Sequence, residues 1–154
     1  MAVELPNAQI VATDVSAAVL EVAPKNAARH GVADRIEFRC GDLFDPIASG
    51  ERFDLIVSNP PYCREDELEE LEPEVKSWEP AGALVAGPDG MATSARLIAE
   101  APAYLVEDGW LLLEVGTQAE QVRRAFVEGG WRDVRTTADL ARRPRVVGGM
   151  RPET

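Results

Sequence analysis

The sequence predicts a three-layer α/β domain on a mostly parallel sheet with an antiparallel C-terminal strand, and three observations carry that prediction. Short apolar runs (8–14, 35–42, 53–59, 110–116) alternate with segments of helical period (16–31, 89–109, 117–130). Three of the runs end in polar residues, at Asp14, at Gly41-Asp42 and at Asn59, the position where open parallel sheets bind ligands. The closing strand-like runs, 131–140 and 143–150, have no helix between them, which predicts an antiparallel pair.

Each element has its own local signal. "AQIVATD" (8–14) is short, apolar and β-branched, and "SAAVLEVAPKNAARHG" (16–31) reads as a helix with Ser16 as N-cap and Gly31 as stop. Pro24 inside that helix should kink it or restart it. "RIEFRCGD" and "FDLIVSN" read as strands separated by a loop holding Pro46 and Gly50. Residues 60–88 form a long loop rich in proline and acid. "DGMATSARLIAEAPAYLVEDG" reads as a helix, "WLLLEVG" as a buried strand, and "TQAEQVRRAFVEGG" as an amphipathic helix stopped by paired glycines.

A length of 154 residues suggests one domain, 1–154, with a real core. No apolar stretch approaches the ~18 residues a membrane span needs, and "MAVELPNAQI" lacks the basic and apolar regions of a signal peptide. Two cysteines, Cys40 and Cys63, and a single histidine, His30, offer neither a disulfide framework nor metal-ligand spacing. A reduced, cytoplasmic, monomeric protein without a metal is expected. His30 reads as a helix-terminal surface residue, and Cys63 has no base partner to activate it.

The net charge of −11 is uneven: residues 120–154 hold eight arginines against five acids, so residues 1–119 carry −14. "EDELEELEPE" (65–74) has seven acids in ten positions. Such a surface repels nucleic-acid phosphates and attracts basic partners, although a solvated helix face accounts for many of these charges.

"VSNPPY" (57–62) carries the chemistry. Pro60 and Pro61 fix φ and remove donors, so the turn offers acceptors: the Asn59 side-chain oxygen and the Pro60 carbonyl. A planar –NH2 group has two donors that diverge at an angle two such acceptors can receive, and Tyr62 offers a flat face for stacking. The arrangement suits an amide or an aromatic amine, and it stabilises positive charge developing on that nitrogen during alkylation. Asp14 is placed to accept both hydroxyls of a ribose, or else to serve as a helix-start acid. Asp42 is placed to accept from an exocyclic amine of adenine, with Leu43 supplying an apolar face.

A strand followed by Asn-Pro-Pro-Tyr resembles the motif of amino-group methyltransferases that use S-adenosylmethionine. The wider strings "FDLIVSNPPY", "EPEVKSWEPAGALVAGPDG", "GWLLLEVG" and "DLARRPRVVGG" resemble one branch, the HemK/PrmC-type peptide chain release factor glutamine N5-methyltransferases, across residues 8–150. The resemblance implies a Rossmann-like class I methyltransferase fold and S-adenosylmethionine as cofactor. It implies cofactor contacts at Asp14, Leu43 and Asn59, beside the Asp42 read above from its position, and an amide pocket of Asn59, Pro60, Pro61 and Tyr62. The implied substrate is the glutamine of the Gly-Gly-Gln loop of release factors, with no direct nucleic-acid contact.

The chain departs from that family in lacking a Gly-x-Gly-x-Gly loop after a strand, since "GPDG" and "VVGGM" have neither the spacing nor the context. It therefore reads as a partial catalytic domain, strand 2 onward, truncated at the N-terminus. In the family the missing strand lies between the strands at 8–14 and 53–59, which leaves both short of a neighbour. They pair with each other, accept a strand from another chain, or belong to a fragment. Alternative readings are a methylase of adenine N6 or guanine N2 in nucleic acid, a glutamine methylase acting on a ribosomal protein, and a catalytically dead remnant.

Overall fold

The computed structural model describes residues 1–61 and 90–153. Tyr62, Cys63 and the acidic run 65–74 lie outside the described residues. The chain divides into two units, Met1–Glu51 and Arg52–Thr154.

In the first unit, β1 (Ile10–Asp14) and β2 (Ile36–Cys40) pair in parallel, from Ile10 opposite Ile36 to Asp14 opposite Cys40. Parallel neighbours need a crossover, and α1 (Ala17–Arg29) supplies it. Ser16, in extended backbone, caps this helix by accepting the Val19 N–H on Oγ at 3.4 Å. Gly31 ends it at φ +67°, a left-handed conformation that glycine adopts without a Cβ penalty. The predicted restart at Pro24 does not occur, because α1 runs through it unbroken. Pro24 lacks the N–H that would reach the Leu20 carbonyl, but five of the helix's thirteen residues are alanine, the strongest helix former, and they hold the flanking turns. Ala2, Ala27 and Val32 are buried, with Ile10, Ile36 and Phe38 packed against them. The Arg35 guanidinium ties the N-terminal segment down by donating to the carbonyls of Ala2, Leu5 and Ala8.

The second unit is a four-stranded sheet of order β3-β4-β6-β5. β3 (Phe53–Ser58) runs parallel to β4 (Leu105–Glu114), while β6 (Pro144–Met150) is antiparallel to both β4 and β5 (Arg132–Ala138). The predicted parallel pairing with an antiparallel finish is therefore present. Among the described residues β1 and β3 are assigned to different sheets, the first to the β1-β2 pair and the second to the four-stranded sheet.

The helix expected over 89–109 is shorter. α2 (Ala92–Glu100) gives way to a 3-10 turn at Ala101–Ala103, and β4 begins at Leu105, five residues before Trp110. Pro102 cannot continue the helical bonding, and Leu105 is fully buried opposite Phe53. Asp108, at φ +62°, and Gly109 sit where the β3–β4 register shifts between Phe53 and Leu55. The Asp-Gly pair that looked like a helix end is thus a strand irregularity.

α3 (Ala119–Glu128) closes the core. Leu111 and Leu113, two apart on β4, are fully buried with Val115, Val122, Phe126 and Val147, as the period of two in a strand requires. Phe126 meets Trp131 edge to face at 5.1 Å between ring centroids. The Trp131 indole N–H donates to the Ile98 carbonyl at 3.3 Å, joining that pair to α2. A Cβ on Gly149 would lie 3.0 Å from Phe126 Cδ1 and 3.1 Å from Trp131 Cβ, so glycine there lets the aromatic pair reach the sheet.

Candidate active site

In the first unit the candidate nucleoside-binding residues gather at the carboxyl end of β1 and β2. Asp14 ends β1 directly opposite Cys40, so residues 41–43 leave the sheet at the same end. The Gly41 N–H donates to the Asp14 carbonyl at 3.0 Å, and Thr13 Oγ1 donates to the Leu43 carbonyl at 3.2 Å. The half-buried Asp14 carboxylate accepts the Ser16 N–H on Oδ1 at 2.7 Å. Asp14 therefore braces the turn that leads into α1, two residues ahead of the Ser16 cap. That bond occupies one carboxylate oxygen and makes no demand on Oδ2.

Leu43 is half-buried and holds φ at +46°, in the left-handed region that costs a leucine roughly 1–2 kcal/mol. Such strain persists only where the surroundings over-determine it. Here they do: a Cβ on Gly41 would lie 2.7 Å from Pro46 Cδ, so the turn is closed against proline, and the Asp45 N–H donates to the Asp42 carbonyl at 2.9 Å.

Arg39 braces the loop from behind. Its guanidinium donates to Glu51 at 2.6 and 3.0 Å, to Glu37 at 2.8 and 2.9 Å, and to the Pro46 carbonyl at 3.3 Å. Glu51 also accepts the Ala48 N–H at 2.7 Å. The Arg39 hydrogen bonds hold both carboxyls below their ordinary range and raise the guanidinium further above its own. Sequence reasoning singled out neither Thr13 nor Arg39. The available signal was Glu37 and Arg39 two apart on a strand, hence on one face.

In the second unit, Ser58 lies opposite Leu113, and Asn59 follows at the carboxyl end of β3. Asn59 is exposed, Pro60 buried and Pro61 half-buried. Burial of Pro60 anchors the turn, while the Asn59 side chain stands in solvent. Tyr62, the fourth member of the predicted amide pocket, lies outside the described residues.

A cleft of about 370 Å³ lined by Glu107, Asp108, Arg132, Arg151, Pro152 and Glu153 lies elsewhere, toward the end of the sheet where Trp110, Met150 and Arg132 align. Arg132 donates to Asp108 at 2.7 Å and to the Arg151 carbonyl at 3.1 Å. Arg132 is paired with Asp108 and Glu153, and the cleft is at the wrong end of the strands for a parallel-sheet active site. Among the described residues, no group of three or more His, Cys, Asp or Glu is placed to hold a metal, and no helix is long and apolar enough to cross a membrane.

Comparison with solved structures places the architecture. The chain superposes on a methyltransferase from Pyrococcus furiosus with a TM-score of 0.69, at 18% identity, over 99% of this chain and 68% of that one. It superposes on TrmN from Thermus thermophilus with a TM-score of 0.64, at 20% identity, over 97% of this chain and 40% of that one. The fold is that of the class I S-adenosylmethionine-dependent methyltransferases.

The sequence carries the likeness further. Residues 2–76 match the RMKL-like methyltransferase domain family UPF0020. The chain is 43% identical over 150 residues to the release factor glutamine methyltransferase of Geobacter sulfurreducens, across 97% of this chain and 52% of that protein. It is 44% identical to that of Cereibacter sphaeroides, across 97% and 53%. It is also 40% identical to the ribosomal protein uL3 glutamine methyltransferase of Bordetella pertussis, across 90% and 46%. The chain is thus similar in sequence to the glutamine methyltransferases that its motifs resemble, and it spans about half the length of the curated relatives it matches.

Proposed function

We propose that this chain carries the amide-gripping and nucleoside-gripping parts of an S-adenosylmethionine-dependent methyltransferase. Its substrate is the side-chain amide nitrogen of the glutamine in the Gly-Gly-Gln loop of peptide chain release factors. One observation carries the reading: an exposed Asn59, set on a buried proline at the carboxyl end of a parallel strand, in a chain 43% identical to a release factor glutamine methyltransferase.

The residues present fit the nucleoside end of the cofactor. Asp14 uses only Oδ1 toward the Ser16 N–H, which leaves the Oδ2 side of the carboxylate for a ribose hydroxyl, and Leu43 presents an apolar, half-exposed surface suited to an adenine face. When bound, the cofactor supplies an electrophilic methyl on a sulfonium. The chain's own task is to prepare the amide. A carboxamide nitrogen is a poor nucleophile because its lone pair is delocalised into the carbonyl. Acceptance of its two N–H bonds by Asn59 Oδ1 and the Pro60 carbonyl orients the –NH2, favours a pyramidal nitrogen and stabilises the charge it acquires. Positioning and electrostatics supply most of the acceleration, and the surplus proton leaves to water.

The reading is tested by mass spectrometry of a release factor incubated with enzyme and cofactor. Wild type should add one methyl to the Gly-Gly-Gln glutamine, and Asn59→Ala should lower kcat by about 100-fold or more. Turnover of that variant within a few-fold of wild type would refute it. The 40% identical uL3 methyltransferase of Bordetella pertussis supports a second reading, in which a ribosomal protein is the substrate. Offering both proteins in one assay separates the two.

A further inference from the structure

The hairpin between β5 and β6 ends in a turn, Asp139-Leu140-Ala141-Arg142-Arg143, built to hold its shape. The Asp139 N–H donates to the Arg143 carbonyl at 2.8 Å, and the Arg142 N–H donates to the Asp139 carbonyl at 2.9 Å. Asp139 Oδ1 accepts the N–H groups of both Ala141, at 2.8 Å, and Arg143, at 2.9 Å. Arg142 sits at φ +62°, a conformation that costs a non-glycine residue energy and that a glycine would relieve. The turn nonetheless holds an arginine there.

This fixed turn displays an apolar side chain among basic ones. Leu140 is fully exposed, at 107% of its reference area, and Arg142, Arg143 and Pro144 are exposed around it. Neither Arg142 nor Arg143 has an ion-pair partner among the described residues. Residues 120–154, which contain the turn, are net basic in a chain of charge −11. Exposed arginines on a fixed turn have the composition of an interface anchor, and Leu140 beside them adds apolar surface that a partner would cover.

The registers say where the turn lies. Ser58, Leu113, Val147 and Thr136 form one row across β3, β4, β6 and β5. β3 leaves that row toward Asn59, and β5 leaves it in the same direction toward Ala138 and Asp139, because β5 is antiparallel to β6 and β6 to β4. The turn and Asn59 therefore project beyond the same end of the sheet. They are three strand spacings apart across the sheet, and the turn reaches two to three residues farther along its strand than Asn59, for a separation of about 17 Å. One partner's share of a standard interface, about 800 Å², is roughly 32 Å across. A macromolecule presenting a side chain at Asn59 covers the turn as well, while a free amino acid or short peptide does not.

We infer that the Asp139–Arg143 turn is a docking contact for the protein substrate itself, with Leu140 entering an apolar pocket that carboxylates rim to meet Arg142 and Arg143. The inference rests on the proposed reading of a protein substrate, and the acidity of the remaining surface disfavours nucleic acid, so the carboxylates that meet the turn form a local patch on the partner.

The test compares wild type with the triple variant L140D/R142E/R143E, and with the milder R142Q/R143Q, by biolayer interferometry on immobilised folded release factor and by methylation of a short Gly-Gly-Gln peptide. The triple variant should lose about tenfold or more in affinity for the folded factor, with methylation of the peptide unchanged; R142Q/R143Q should lose less and flatten the salt dependence. Thermal unfolding of both variants matching wild type confirms that the turn, and not the fold, was altered. Wild-type affinity in both variants, or an equal loss on peptide and folded factor, would overturn the docking role while leaving the methyltransferase reading intact. Loss of affinity for an RNA hairpin instead of the factor would also overturn it. A wild type that binds no release factor would overturn both readings together.

Discussion

The unit Arg52–Thr154 seals Leu105, Leu111, Leu113, Val115, Val122, Phe126 and Val147 completely from solvent, whereas Met1–Glu51 buries only Ala2, Ala27, Val32 and Phe44. The difference follows from strand count. Four strands with α2 and α3 bury a continuous layer of large side chains. Two strands and one helix leave Ile10, Ile36 and Phe38 half-covered, and such a sheet is marginal on its own. What the first unit lacks in apolar burial it replaces with polar bracing: Arg35 on three carbonyls and Arg39 on two carboxylates and a carbonyl. Stability and candidate chemistry are thus distributed unevenly, and Asp14, the proposed ribose ligand, stands in the unit with the smaller core.

The contrast is broken most directly by truncating one residue in each core. Phe126→Ala removes the edge-on partner of Trp131 and should cost about 3–5 kcal/mol by denaturant unfolding. Ala27→Gly in the first unit should cost about 1 kcal/mol through helix propensity and lost burial. Equal costs would show that the units share one cooperative core.

Glycines sharpen the same contrast at smaller amplitude. Gly149→Ala pushes a methyl against Phe126 and Trp131 and should cost about 1–3 kcal/mol. At Gly31 an added Cβ has open space, so Gly31→Ala carries only the left-handed penalty of about 1–2 kcal/mol.

The smallest effect is on pH. Because Arg39 hydrogen bonds hold Glu37 and Glu51 below their ordinary range, these carboxylates stabilise the first unit above the ordinary carboxylate pKa. That contribution is lost as pH falls through their lowered folded values. All three groups are exposed enough for salt to weaken the effect. Hydrogen exchange of β1 and β2 amides should therefore accelerate on acidification more than that of β4 and β6, and Glu51→Gln should remove much of the difference.

Much of this was legible in the sequence, for reasons that differ residue by residue. Ser16 and Gly31 bounded α1 because capping is local chemistry, and the strand-end positions of Asp14, Gly41-Asp42 and Asn59 were legible because a polar residue closing an apolar run is itself the signal. The expected helix to Gly109 failed because Leu105 and Val106 fit either period until the neighbouring strand selects one, and Asp108-Gly109 marks a bulge as readily as a helix end. The Arg39 network was invisible because Glu51 is distant in sequence from Glu37 and is brought near only by the turn at Pro46. The rigid tip at Asp139 was read as strand, since its shape depends on one carboxylate meeting two amides.

The proposed function divides the labour, with Asp14 proposed to hold the cofactor's ribose and Asn59 to serve the amide. Calorimetric titration of S-adenosylmethionine into wild type, Asp14→Ala and Asn59→Ala tests it directly. The account predicts micromolar binding by wild type, a loss of about tenfold or more for Asp14→Ala, and a smaller loss for Asn59→Ala. A silent wild-type titration, or Asp14→Ala binding as tightly as wild type, would contradict it.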